Sequence, residues 1–233
     1  MKCLYCGEMI ASVVSWGSLF SRQVEELFCE RCMEQLEPIE GECCVRCSKP
    51  FKGLAEEFRK EDLCYDCVRW EQDPEWSGIL ERNISLYEYN EFLKEFIGRF
   101  KFRGDYILAK FFNTSINKTI KKLKYDLLVP VPLSEERLYE RGFNQSEALI
   151  IESGLKPTFI LKRTHTEKQS KKSRGERIHL EDIFKIIEGV DVVGKRVVLI
   201  DDIYTTGSTL MHAGKILKEQ GAFAVSAITV ARG

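Results

Sequence analysis

Residues 197–209, VVLIDDIYTTGST, decide the fold of this 233-residue chain. Four apolar residues are followed at once by Asp201 and Asp202 and then by a turn rich in threonine and glycine. Beyond the turn, Leu210, Ile216 and Leu217 recur at helical spacing. The order predicts a buried strand, two carboxylates at its C-terminal end, and a loop that opens into a helix.

The predicted loop suits a phosphate group. A helix N-terminus presents backbone N–H groups and the positive end of the helix dipole. Two carboxylates would repel the phosphate itself, but they can accept hydrogen bonds from sugar hydroxyls nearby. We therefore predict a site for a ribose that carries a 5′-phosphate. Its residues are Asp201, Asp202, Thr205, Thr206, Gly207, Ser208 and Thr209. The alternative is an ordinary turn in which Asp202 is solvated and Ser208 caps the helix.

The same order of residues resembles the phosphoribosyl-diphosphate (PRPP) fingerprint of type I phosphoribosyltransferases. That fingerprint is an apolar strand, two acids, an apolar residue and then T-T-G-x-T, and it matches here without a break. The resemblance implies that the acids hold the ribose 2′- and 3′-hydroxyls and that the turn holds the 5′-phosphate. It also implies that Mg²⁺ accompanies PRPP when the ligand binds.

Residues 83–233 read as alternating strands and helices. Strands are predicted at 83–89, 126–132, 158–162, 184–187, 197–200 and 224–230, with helices near 92–100, 107–123 and 144–153 and after the turn at 205–209. The alternation predicts an α/β fold with a mostly parallel sheet and helices on both faces. Ligands of such sheets bind at the carboxyl ends of the strands, where the paired acids lie.

The N-terminal part of the chain carries eight cysteines in four C-x-x-C pairs: Cys3/Cys6, Cys29/Cys32, Cys44/Cys47 and Cys64/Cys67. Two such pairs supply the four thiolates of a tetrahedral zinc site. Sequential grouping gives two plausible zinc ribbons, and interleaved grouping is the alternative. We predict a zinc module at 1–70 that holds one or two structural ions, a linker at 71–82 and the larger domain at 83–233.

Composition limits the function classes. No apolar run reaches the length of a membrane span, and the N-terminus lacks the apolar region of a secretory signal, so a cytoplasmic protein is expected. Residues 1–82 hold 10 Lys/Arg against 17 Asp/Glu, whereas residues 83–233 hold 25 against 19. The basic remainder is compatible with a polyanionic partner.

A second group of candidate residues lies in VPVPLSEERLYERGFNQSE, at 129–147. The prolines fix the exit from the strand, and the segment that follows offers donors for a pyrophosphate. The candidates are Arg137, Arg141, Gly142, Asn144 and Gln145. The alternative is a capped helix with solvated arginines.

The stretch 162–177, KRTHTEKQSKKSRGER, is basic and almost without apolar residues. A solvated loop is the usual meaning of such a run, but next to a pyrophosphate it could close over the ligand. The predicted loop residues are Lys168, Lys171, Lys172 and Arg174. They could equally bind a nucleic-acid backbone, which would make the affinity fall with salt.

Taken together, the four C-x-x-C pairs, YEYN…FKFRGD, VPVPL…ERGFNQ, KQSKKSRGER and IDDIYTTGST resemble the ComF family over essentially the whole chain. This resemblance implies a double zinc ribbon on a phosphoribosyltransferase-type domain. It further implies a role in natural transformation, in which the protein handles single-stranded DNA at the inner face of the membrane. The expected partner is a helicase-like competence protein of the same operon.

Two functional hypotheses remain. In the first, a competence protein uses a PRPP-type site to bind a phosphorylated ribose while it handles single-stranded DNA. In the second, the chain is an active phosphoribosyltransferase with a base as acceptor. The sequence ends at Gly233, just past the last predicted strand, so no hood over the acceptor is expected there. Basic residues at 94–124 could contact DNA, whereas Phe100, Phe102, Trp70 and Trp76 are expected to pack in the core.

Overall fold

A computed structural model describes residues 1–10, 27–164 and 183–233. The described strands are β1 Arg59–Lys60, β2 Leu63–Cys64, β3 Asn83–Glu88, β4 Leu127–Pro130, β5 Leu161–Arg163, β6 Phe184–Ile186, β7 Arg196–Tyr204 and β8 Ala224–Arg232. The α-helices are α1 Glu30–Met33, α2 Tyr65–Gln72, α3 Glu91–Phe102, α4 Asn113–Ile120, α5 Glu135–Arg141, α6 Gln145–Glu152 and α7 Ser208–Glu219. Short 3₁₀ helices cover Glu56–Phe58 and Tyr106–Phe112.

The central sheet has four strands in the order β3-β8-β7-β4, and every neighbouring pair is parallel. Strands β7 and β8 are apolar over most of their length because both of their faces are covered. Val198 and Ile200 pack with α3, α4 and α6 on one face. Val197 and Leu199 pack with α7 and the second ribbon on the other. The predicted α/β fold with helices on both faces of a parallel sheet is confirmed.

One predicted helix and two predicted strands differ from the structure. The single helix expected at 107–123 begins instead as the 3₁₀ helix Tyr106–Phe112 and continues as α4. There the consecutive Phe111 and Phe112 are both buried, so the hydrophobic pattern alone did not reveal the tighter turn. The strands β5 and β6 were expected beside the others, but they form a separate antiparallel pair.

The two cysteine-rich units pack on opposite faces of the sheet. In the first, Tyr5 stacks on Phe96 of α3 at 5.0 Å, and Arg99 donates to the Tyr5 carbonyl oxygen at 2.7 Å. The second contributes Cys44, Cys47, Cys64 and Cys67 to the core around Leu199 and α7. The parallel sheet thus lies between both units.

The segment 71–82, predicted as a linker, packs against the sheet. Trp76 and Leu80 are buried, and Glu81 N–H donates to the Val225 carbonyl oxygen at 2.8 Å. Ala227 N–H in turn donates to the Arg82 carbonyl oxygen at 2.8 Å. The second ribbon is therefore held along β8 by backbone hydrogen bonds.

Among the residues that the structure describes, no helix is both long and apolar enough to span a lipid bilayer.

Candidate functional site

Asp201 and Asp202 lie within the last four residues of β7, at the carboxyl edge of the sheet. The strand continues through them to Tyr204, because Asp201 and Ile203 still pair with β8. Ser146 of α6 donates its hydroxyl to Asp201 Oδ1 at 3.1 Å, and the Asp202 N–H donates to the same oxygen at 3.0 Å. The predicted carboxylate pair is thus held in a fixed geometry by α6 and by its own backbone.

Lys101 of α3 lies beside this carboxylate pair, although it is not among the site residues predicted from the sequence. Its Nζ lies 2.8 Å from Asp202 Oδ2, and the two side chains are only 17% and 11% exposed. A half-buried carboxylate pair needs a nearby cation because two like charges at low dielectric repel strongly. Lys101 belongs to the motif FKFRGD that carried part of the family resemblance, which was the one available signal.

Burial, together with the charge of Asp202, raises the pKa of Asp201 to about 7. The nearby Lys101 ammonium and the Ser146 hydroxyl act in the opposite direction. An unfolded aspartate titrates at about 3.9, so the folded protein retains a proton that the unfolded chain loses. The free energy of unfolding should therefore fall as pH rises from about 4 through about 7.

We accordingly expect Asp201→Asn to remove this slope. In urea unfolding with zinc present, the variant should gain stability relative to the unmodified chain between about pH 5.5 and about pH 8. An Asn keeps an acceptor for Ser146 but does not titrate. A stability difference that is the same at both pH values would contradict the raised pKa of Asp201.

The turn after β7 brings the other fingerprint residues together. A small concavity of about 40 Å³ is lined by Asp201, Ile203, Tyr204, Thr205, Thr206, Gly207, Ser208, Thr209 and Leu210. Gly207, at φ 84°, is the N-cap of α7, and Ser208 is its first residue. The alternative in which Ser208 caps the helix is therefore wrong. Since a glycine cap brings no side-chain acceptor, the first amides of α7 suit an anion.

Gly207 is required for two separate reasons. Its positive φ disfavours any side chain, and a Cβ would overlap the hydroxyl of the buried Tyr204. We expect Gly207→Ala to distort the turn, to lower the affinity for a phosphorylated ligand at least tenfold, and to lower the free energy of unfolding by about 1–3 kcal/mol. Calorimetric titration and urea unfolding measure the two effects. Gly194→Ala is the control, since Gly194 also has a positive φ (70°) but no atom near its Cβ position.

The predicted pyrophosphate group divides into two kinds of residue. Asn144 caps α6 by accepting from Ser146 N–H at 2.9 Å, and its Nδ2 donates to the Val131 carbonyl oxygen at 3.0 Å. Gln145 is buried and accepts from Arg141 Nη1 at 2.9 Å. These two amides are thus engaged in positioning the helix and the arginine.

Arg137 and Arg141 lie on α5, which is a capped helix as the alternative supposed: Ser134 accepts from Arg137 N–H at 3.3 Å, and Gly142 ends the helix at φ 79°. Arg137 is exposed, whereas Arg141 is half-buried. Burial lowers the pKa of Arg141, and the carboxylates Asp202 and Asp201 oppose that shift. The structure thus places the Arg141 cation within electrostatic reach of the acids.

Arg163 of β5 joins this group from the basic stretch 162–177. Burial and the charge of Arg137 lower its pKa, while Asp201 raises it, so the Arg163 guanidinium lies within electrostatic reach of both groups. The predicted loop residues Lys168, Lys171, Lys172 and Arg174 lie outside the described residues.

The eight paired cysteines form two groups, Cys3/Cys6/Cys29/Cys32 and Cys44/Cys47/Cys64/Cys67, in which all Sγ atoms lie within 4.8 Å of one another. Distances of 3.6 Å for Cys6–Cys29 and 3.5 Å for Cys47–Cys64 match the S···S edge of about 3.8 Å around a tetrahedral zinc. They are far longer than the S–S bond of a disulfide. The grouping is sequential, and the donor set fits two structural zinc ions.

The second cysteine group is connected directly to the candidate phosphate loop. Arg232 is 4% exposed, and its guanidinium donates to the Thr205 carbonyl oxygen at 2.9 Å and to Cys47 Sγ at 3.5 Å. Trp70 of α2, three residues after Cys67, donates its Nε1–H to the Thr206 carbonyl oxygen at 2.9 Å. Two consecutive carbonyls of the loop are therefore held by the ribbon and by an arginine in contact with it.

Two known domain families match the two parts of this chain. The double zinc ribbon domain family matches residues 1–68, and the phosphoribosyl transferase domain family matches residues 142–233. Competence protein ComFC of Bacillus subtilis (strain 168) is 39% identical, over 99% of this chain and 94% of its own. Competence protein ComFC of Streptococcus pneumoniae (strain ATCC BAA-255 / R6) is 35% identical over 100% of both chains.

A more distant relative, DNA utilization protein YhgH of Escherichia coli (strain K12), is 32% identical over 43% of this chain and 46% of its own. The two ComFC proteins, by contrast, match along their full length, through the cysteine groups and the fingerprint alike. The chain therefore belongs to the ComF family of competence proteins, with a double zinc ribbon followed by a phosphoribosyltransferase-type domain.

Proposed function

We propose that this competence protein binds a 5-phosphoribosyl ligand, with PRPP as the first candidate, at the carboxyl edge of its parallel sheet. The observation that carries the proposal is that the turn 205–209 and Asp201 line the same concavity. The first amides of α7 would take the 5′-phosphate, and Asp201 and Asp202 would accept from the ribose hydroxyls. Mg²⁺ would enter with the diphosphate, whose own oxygens supply most of its ligands.

The cations around the acids support a diphosphate in particular. Lys101 already neutralises Asp202, while Arg141 and Arg163 are within electrostatic reach of the carboxylates from two other elements. Both arginines have a pKa lowered by burial, so a bound anion would relieve the cost of keeping them charged. A monophosphate sugar has no group that uses this second cluster.

Calorimetric titration with PRPP–Mg²⁺ and with ribose 5-phosphate tests this part. We expect PRPP to bind at least tenfold more tightly, because only PRPP carries a diphosphate for the arginines. Equal affinity would contradict the role of Arg141 and Arg163, and no binding of either ligand would refute the site. Release of pyrophosphate on addition of free bases would favour the second hypothesis, an active phosphoribosyltransferase.

We further propose that single-stranded DNA contacts the surface beside this site. Phe102, which we expected in the core, is 73% exposed, and the Arg141 guanidinium lies over its ring at 5.6 Å. Tyr139 of α5 is 92% exposed. Exposed rings next to arginines are the combination on which unpaired bases stack while the backbone is neutralised. Phe100, by contrast, is buried as expected.

Fluorescence anisotropy with a labelled oligo-dT at several salt concentrations tests the DNA contact. Phe102→Ser with Tyr139→Ser should weaken binding about fivefold or more at each salt concentration without changing the salt slope, because stacking carries no charge. The matched control is Phe223→Ser, since Phe223 is also exposed (59%) and also lies under an arginine, Arg196, but precedes β8 at the opposite edge of the sheet. An effect of the same size in the control would move the DNA surface elsewhere.

A further inference from the structure

A second, larger cavity adjoins the candidate phosphate loop. It has a volume of about 420 Å³ and lies between α2 of the second ribbon and the start of α7. It is lined by Asp66, Arg69, Trp70, Asp73, Trp76, Thr206, Ser208 and His212. Thr206 and Ser208 also line the small concavity at the phosphate loop, so the two cavities share a wall. Its volume falls within the range of small-molecule sites.

The lining combines aromatic rings with two aspartates and Arg69. Trp70 and Trp76 meet edge to face at 5.3 Å, and the His212 ring lies 4.7 Å from Trp76. His212 Nδ1 lies 2.7 Å from the Ser208 carbonyl oxygen, which fixes the orientation of the imidazole. Asp66 and Asp73 offer only acceptors, as the amino groups and ring N–H groups of nucleobases require. Flat aromatic walls with nearby carboxylates suit a nucleobase.

The order of the binding groups along the site decides which nucleotide of a strand would supply this base. Asp201, one of the two acids that would hold the ribose, lines the small concavity but not the large cavity, and only Thr206 and Ser208 line both. A phosphate on the loop therefore lies between the sugar position at Asp201 and the ring position at Trp70. A base in the aromatic cavity must then belong to a second nucleotide. That nucleotide is attached to the phosphate on the side opposite to the ribose at Asp201.

We propose that the cavity between α2 and α7 holds the base of the nucleotide on the 5′ side of the phosphate seated on the turn 205–209. The site would thereby accept the last phosphodiester of a single strand, whose 3′-terminal sugar keeps a free 3′-hydroxyl for the acids, as well as a terminal sugar phosphate. This inference rests on the proposed phosphate site, and it gives the second zinc ribbon a part in ligand binding through Trp70.

Calorimetric titrations with the dinucleotide d(CpC), the mononucleotide dCMP and PRPP–Mg²⁺ test the proposal. We expect d(CpC) to bind at least fivefold more tightly than dCMP, since one stacked base contributes about 1–3 kcal/mol. Trp70→Leu should remove that advantage, whereas its effect on the affinity for PRPP should equal that of Trp70→Phe, since both variants lose the N–H bond to Thr206. Trp70→Phe, which keeps a ring, should retain most of the advantage of d(CpC).

The outcomes separate this inference from the proposed function. If Trp70→Leu weakens PRPP and d(CpC) equally, Trp70 only supports the loop and the cavity proposal is overturned. If PRPP binds but d(CpC) is no tighter than dCMP, the cavity proposal fails and the sugar-phosphate site stands. If PRPP does not bind while d(CpC) depends on Trp70, the cavity stands and the proposed PRPP ligand fails.

A crosslinking experiment on the unmodified protein covers the case in which Trp70→Leu does not fold. A dinucleotide with 5-iododeoxycytidine at its 5′ position, irradiated in complex with the protein, should attach to Trp70, Trp76 or His212. Attachment at Phe102 or Tyr139 instead would overturn the proposal. Free cytosine that binds against Trp70 in the presence of saturating PRPP would also overturn it, because the cavity would then take a free acceptor base.

Discussion

Asp201→Asn combined with Asp202→Asn is expected to lower the affinity for PRPP–Mg²⁺ by a factor of about 100 or more. Each carboxylate would contribute a charge-assisted hydrogen bond to a ribose hydroxyl, and such a bond is worth about 1.5–3 kcal/mol. An amide keeps the shape of the carboxylate and one acceptor oxygen but loses the charge. Calorimetric titration measures the loss directly.

The fold should survive this double substitution. The two carboxylates repel each other, as the raised pKa of Asp201 shows, so their neutralisation removes an unfavourable term even though Lys101 loses its partner. Glu219→Gln, at the far end of α7 and exposed, is the control for a lost carboxylate. A double variant that binds PRPP within threefold of the unmodified chain would remove the acids from the site.

The same variant connects the site to competence. In a Bacillus subtilis strain that lacks its own ComFC, we expect the unmodified chain to restore transformation and the double variant to fail while it accumulates to the same level. Full restoration by the double variant would mean that the competence role does not depend on the carboxylates. The outcome is read as transformants per cell, with protein amounts measured by immunoblotting.

Arg232→Met is expected to have the second large effect, on both stability and ligand binding. The buried guanidinium donates to the carbonyl oxygens of Tyr204 at 3.3 Å and Thr205 at 2.9 Å, contacts that of Gly233, and lies over the Tyr204 ring at 4.9 Å. Methionine fills similar space but removes these donors; the Tyr204 carbonyl keeps the Gly233 N–H, whereas the lost contacts to Thr205 and Gly233 cost about 1–3 kcal/mol for each group left unsatisfied.

We expect the free energy of unfolding of Arg232→Met to fall by about 3–5 kcal/mol and the affinity for PRPP to fall at least tenfold. The contact between Arg232 and Cys47 Sγ predicts a further consequence, because loss of the guanidinium removes a positive charge beside a zinc thiolate. Zinc should therefore leave the second site faster on addition of a chelator, as measured with a colorimetric zinc indicator. Arg196→Met, at the N-terminal end of β7, is the control; equal effects there would show that Arg232 has no special connection to the loop.

The fingerprint could be predicted from the sequence because its signals are local. The apolar run of β7, the acids and the turn follow one another along the chain, and each is recognised by residue type and spacing. The cysteine pairs are equally local, and only their grouping was left open. The structure shows the sequential grouping, because the four Sγ atoms of each set lie within 4.8 Å of one another. Asn144 as the cap of α6 was likewise predictable, since capping involves only the next few residues.

Contacts across the fold could not be predicted in the same way. Lys101 and Asp202 are 101 positions apart and meet because α3 ends at the carboxyl edge of β7. Phe102 comes after the last residue of the apolar pattern of α3 and does not lie on the buried face of this helix. Its exposure therefore could not be derived from the spacing of the apolar residues. Trp70 was expected to pack and is half-buried, with its N–H on a loop that lies 136 positions further along the chain.

The sequence by itself determined the kind of chemistry available: eight thiols for metal, a strand that ends in two acids, and a glycine turn that opens a helix. These three features depend only on residue types and on short spacings along the chain, so they can be recognised without knowledge of the fold. Only the tertiary structure decided that Lys101, Arg141 and Arg163 surround the acids and that Arg232 and Trp70 attach the second ribbon to the phosphate loop. Those contacts arise from how the sheet and both ribbons pack, and packing depends on the whole chain at once.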